Sequence, residues 1–168
     1  MSSDTATMAS AASPASSGGK ILLKAYLGMR DALVEGDTLA VDAGAASLRS
    51  IADSLTRDSL FARQETALPL GNIIAETDGL LGDHGLDARR RAFGMVGDAL
   101  RDFLLKSGYD AGKVFVQTCP MAFNDSEAAS WLSDSREIIN PYLGRRHPKY
   151  GAGMLHCGEL TDSLGTDR

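Results

Sequence analysis

Thiols and imidazoles are scarce in this chain. Its 168 residues include two cysteines and three histidines. Two cysteines allow at most one disulfide, which excludes a small scaffold stapled by several. An excess of basic charge is also missing. The net charge is -5, and phosphate recognition needs a basic face, so neither nucleic acid nor an anionic membrane surface is expected as the main partner. The one basic run, Arg89-Arg90-Arg91, sits at the start of a predicted helix and reads as a solvated face. No apolar stretch reaches the length of a membrane span, so direct insertion is not expected. Catalytic signatures are missing too. There is no Gly-rich phosphate loop and no Gly-x-Ser-x-Gly elbow. Glu65, Glu76, Glu127 and Glu137 are scattered, and no paired carboxylates emerge. Nothing in the chain argues for an enzyme.

What is present is enough apolar material for one hydrophobic core without help from a metal or a disulfide. Residues 1–19 are rich in Ser, Ala, Pro and Gly. With little to bury, they are predicted to form a disordered leader. They contain no continuous apolar segment of the signal-peptide kind. A plain leader and the remnant of a cleaved signal both fit.

From residue 20 helical periodicity takes over. Leu22, Tyr26, Met29 and Leu33 mark one helix face. Gly36 stops that helix and Asp37 caps the next, whose stripe is Leu48, Ile51, Ala52 and Leu55. Pro69 is placed in the first turn of a third helix carrying Leu70, Ile73, Ile74 and Leu81. Gly82 to Gly85 reads as a loop with His84 exposed in it. Asp87 is a candidate cap for a fourth helix with Phe93, Val96, Leu100 and Phe103, closed by Gly108. These stripes and short links predict an all-α, up-down four-helix bundle. The rest is predicted to be an irregular cap with short extended segments, at Val114 to Val116 and around Met154 to Leu160. Asp125 to Leu132 is assigned to a short helix, and His147 to Gly153 to a loop with an exposed His147. The domain is expected to span 20–161, with 162–168 a flexible tail.

The chemistry worth weighing lies in that cap. In Cys119-Pro120-Met121 the two sulfur side chains are two residues apart, and in extended backbone they point the same way. Met154-Leu155-His156-Cys157 adds a thioether, an imidazole and a second thiol. Thiolates and thioethers are soft donors that select copper(I). With His156 the set could hold zinc instead, although thioether is a poor zinc ligand. The other reading is structural. Met121 and Met154 fill cores readily. A Cys119–Cys157 disulfide would close a span of 38 positions, worth about 4 kcal/mol by chain entropy. Trp131, the single Trp, reads as a packing anchor.

Taken in order, Cys119-Pro120-Met121-Ala122, Trp131-Leu132-Ser133, Glu137-Ile138-Ile139-Asn140-Pro141-Tyr142 and Met154-Leu155-x-Cys157-Gly158-Glu159 form a string that resembles a bacterial family of helical domains of unknown function. Tyr26 to Val34 and Arg90 to Leu104 also look like that family's helices, so the resemblance covers roughly residues 21 to 161. Members occur alone in exported proteins and fused to membrane-fusion subunits of copper/silver-type heavy-metal efflux pumps. The resemblance implies a periplasmic or exported location, a role near copper, efflux components as partners, and Cys119, Met121, Met154 and Cys157 as the positions to test. The chain departs from the family pattern at two points. Leu143 stands where the family has an aromatic after Asn-Pro-Tyr, and Arg145 to Gly153 looks inserted before the Met-x-x-Cys-Gly segment. The expectation is thus a non-catalytic, metal-binding accessory for copper(I), with a disulfide-stapled interaction domain as the alternative.

Overall fold

A computed structural model describes residues 12–82 and 85–167. Four helices form in sequence: α1 (Pro14–Glu35), α2 (Thr38–Thr56), α3 (Gln64–Leu81) and α4 (Leu86–Lys106). Each packs on the next, and α1 also meets α4, which closes the bundle. Short links between neighbours make the helices antiparallel. Most of the predicted stripes form the core: Leu22, Tyr26, Met29, Leu33, Leu48, Ala52, Leu70, Ile73, Phe93, Val96, Leu100 and Phe103 are buried, Ile51, Leu55 and Ile74 are partly buried against them, and Leu81 is exposed. Gly36 ends α1 in the left-handed region at φ 71°, and the Asp37 carboxylate caps α2 by accepting the Ala40 N–H. Among the described residues no helix is long and apolar enough to cross a membrane.

The all-α class is overturned. Of the described residues 54% are helical and 16% strand, a mixed α and β fold. The strands β1 (Val114–Phe123), β2 (Glu127–Ser133) and β3 (Glu159–Leu164) form one antiparallel sheet in the order β2-β1-β3. The short run at Val114 to Val116 is the start of its ten-residue central strand. Pro120 does not end that strand. The β1–β2 register shifts between Cys119 and Phe123, and a bulge tolerates a residue with no N–H to give the ladder. The segment assigned to a short helix is β2. Asn124 and Asp125 both adopt positive φ, 52° and 60°, and Ser126 N donates to Phe123 O. That is the type I′ turn whose twist suits a tight hairpin.

Three boundaries also move. α1 begins at Pro14, so 14–19 is helix rather than leader; residues 1–11 lie outside the described residues. The small residues there serve close packing. A Cβ on Gly19 would meet Leu104 at 2.8 Å and Tyr109 at 2.9 Å, and the buried Ser16 hydroxyl bonds Asp110 at 2.5 Å. α3 begins at Gln64, which places Pro69 inside the helix instead of in its first turn. The tail expected at 162–168 contains the end of β3, where Leu164 is buried. Thr166 then donates to the Asp110 carbonyl. His84 lies outside the described residues.

The sheet has one face toward the helices. Val116, Leu132 and Ser130 line a small cavity with Gly97, Asp98 and Arg101 of α4. Along β1 side chains alternate, so Phe115, Gln117 and Cys119 share the opposite face. Residues 134–138 cover it, and the chain returns to it at Cys157. Arg136 lies over the Phe115 ring at 5.0 Å, and the Gln117 amide donates to the carbonyls of Ser135 and Glu137.

Candidate functional site

On that covered face the two cysteines meet. Cys119 comes from the central strand just before the bulge, and Cys157 from the turn leading into β3. Their Sγ atoms are 3.4 Å apart, and both thiols are free. Cys119 is fully buried and Cys157 half-buried. Burial, then the hydrogen bond and charge of Cys119, push the Cys157 thiol up to about 11. A thiol so raised holds its proton at neutral pH and is a weak nucleophile.

The other predicted ligands are placed differently. Met121 sits in the β1 bulge and Met154 opens the turn that Cys157 closes through its N–H to Met154 O. Both thioethers are half-buried and pack against the core. His156 is exposed, with Nδ1 2.8 Å from the carbonyl of Ile138. A carbonyl only accepts, so Nδ1 is the donor in this bond. Among the described residues there is no group of three or more His, Cys, Asp or Glu able to hold a metal. The structure thus brings the two thiols together and leaves His156 outside their cluster. That donor set falls short of the four N or S ligands of a structural zinc site.

Several residues that hold the pair were not identified as site residues in the sequence. Asn140 is fully buried. Its Nδ2 donates to Cys157 O at 2.8 Å, and its Oδ1 accepts from Tyr142 N and Leu143 N. Its backbone N–H donates to Leu155 O. Tyr142 then reaches across to the sheet, donating its hydroxyl to Ser130 O. Its ring packs edge-on against Phe93, Phe123 and Trp131. Behind the turn, the buried guanidinium of Arg90 donates to Pro141 O. Desolvation draws its pKa down from the usual arginine value. Gly158 lies at φ 141°, where an added Cβ would meet Trp131 at 3.0 Å and Thr118 O at 3.1 Å. The available signal was the Asn-Pro-Tyr and Cys-Gly spacing itself, which converges on the thiols.

The loop from Arg145 to Gly153 starts at the end of α1, where Arg145 N donates to Val34 O and its guanidinium pairs with Glu35, and then reaches the hairpin. Lys149 Nζ and Tyr150 Oη both bond Asp125, at 2.5 and 2.7 Å. His147, expected to be exposed, is half-buried and stacks on Tyr150 with ring centroids 5.0 Å apart.

No protein-family model matches the chain, and no curated protein or solved structure matches it either.

Proposed function

We propose that the chain is a non-catalytic accessory that carries copper(I) on the Cys119–Cys157 pair, outside the cytoplasm, in support of heavy-metal efflux. One observation carries the reading: two sulfurs 38 positions apart in sequence lie 3.4 Å apart in space. Two thiolates with thioethers near them in sequence suit a soft ion of low coordination number. The same set is poorly suited to zinc, calcium or magnesium. The location and the efflux partners rest on the resemblance of the motif string alone. The test is anaerobic titration of reduced protein against a competing copper(I) chelator. Wild type should compete, and Cys119→Ser or Cys157→Ser should lose most of the affinity. Equal competition by the double variant would remove the proposal.

The same distance favours a second reading. An S–S bond is about 2.05 Å long, so a modest approach of the two sulfurs would give a structural disulfide in an oxidising compartment. Counting free thiols in protein isolated without reductant separates the two: two thiols for a metal carrier, none for the stapled domain.

A further inference from the structure

The chain carries five lysines. Lys106 pairs with Asp102 and Lys149 with Asp125. Lys20, Lys24 and Lys113 have no hydrogen bond or ion pair among the described residues. All three line one groove of about 530 Å³, between α1 and the connection from α4 to β1. Its charged lining is Lys20, Lys24, Arg30 and Lys113 against Asp31 and Asp134. Arg30 is already matched to both aspartates, so the three lysines are an unbalanced positive rim on a protein of net charge -5. The floor is apolar, built from Leu23, Leu27, Tyr109 and Ala111. Gly28 leaves it unobstructed, because a Cβ there would meet nothing within 4 Å.

We propose that this groove docks an extended acidic segment of a partner protein. Charge complementarity selects an anionic occupant. Spacing then selects its form. Lys20 and Lys24 are four residues apart on a helix, a rise of about 6 Å. In an extended peptide, residues i and i+2 lie on one side about 6.6 Å apart. Alternating acidic and apolar residues therefore set carboxylates toward the lysine rim and apolar side chains on the floor. The groove is distinct from the thiol pair, so its occupancy stands or falls separately from copper(I) binding.

The test uses fluorescence anisotropy with a labelled Glu-Leu-Glu-Leu-Glu peptide and the full chain. Binding should weaken as salt rises. Lys20→Glu with Lys24→Glu should weaken it about tenfold or more, two attractive exposed pairs being made repulsive. Gly28→Tyr leaves every charge in place and fills the groove, and it should abolish binding. Circular dichroism should show both variants folded, since these positions are exposed. Three results would overturn the proposal. Equal binding of Glu-Ser-Glu-Ser-Glu would mean unspecific charge attraction. Tight binding of decanoate with none of the peptide would mean a small amphiphile site. Undiminished binding by Gly28→Tyr would place the peptide elsewhere.

Discussion

The Asn140 side chain donates to the backbone carbonyl of Cys157 at 2.8 Å, and so ties the Asn-Pro-Tyr turn to one of the two thiols. Asn140→Ala would strip partners from that carbonyl and from the N–H groups of Tyr142 and Leu143. Each buried orphan costs about 1–3 kcal/mol. With partial relief by water, the expected loss is about 3 kcal/mol, read from the urea midpoint. A loss below about 1 kcal/mol would show that the turn holds itself.

Gly158→Ala should be as damaging by a different route. At φ 141° a side chain is strained, and the new methyl would meet Trp131, Thr118 O and Ile138 within 3.2 Å. The expected cost is about 2 kcal/mol or more. Because Gly158 follows Cys157 directly, rates of disulfide formation under mild oxidant should change as well. An unchanged rate and stability would mean that the backbone shifts freely there.

The helices were legible because a 3.6-residue period survives in sequence: Leu22, Tyr26, Met29 and Leu33 read as a stripe and are a stripe. The sheet was not. β2 contains Ala128 and Ala129, which favour helix locally, and its identity is fixed by the hairpin turn at Asn124 and Asp125 together with pairing to β1. β3 is exposed along its length until Leu164, so it shows no alternation to read. Gly18 and Gly19 read as disorder because composition does not distinguish a mobile glycine from one that lets two helices touch. Proximity of Cys119 and Cys157 was expected from the sulfur donors of two short segments, whereas the Asn140 clamp needed three-dimensional contacts.

Deleting residues 1–19 tests the corrected start of α1. The deletion removes Pro14 to Gly19 and the Ser13 and Ser16 bonds to Asp110. The melting temperature should fall by about 4 °C or more. Deleting residues 1–11 separately isolates the described helix from what precedes it. An unchanged value for the longer deletion would show that the first turn of α1 contributes little.

Asp125→Gly keeps the positive φ of the hairpin turn and removes the carboxylate that holds Lys149 and Tyr150. The pairs are exposed, so global stability should change little. The local effect should be larger. Hydrogen exchange at Tyr150 and Gly151 should speed up while the amides of β1 stay protected. Equal protection in both proteins would mean that the His147–Tyr150 stack holds the loop alone.

The Cys157 thiol gives the pH dependence. Its pKa is pushed up to about 11 by burial, then by the hydrogen bond and charge of Cys119. The folded protein thus holds this proton more tightly than the unfolded chain, whose thiols lose theirs near 8.5. The stability this group contributes is complete below about pH 8.5 and is lost as pH rises toward 11. Urea midpoints from pH 7 to 10.5 should therefore decline in the reduced protein and decline less in Cys157→Ser. Copper(I) reverses the direction, because the metal must displace the proton. Between pH 6 and 8 the apparent affinity should rise by at least about tenfold per pH unit on account of Cys157 alone. The chelator competition of reduced wild type, repeated at three pH values, measures that slope. A slope of zero would mean that any bound copper sits on groups that do not titrate, which would take the thiols out of the site.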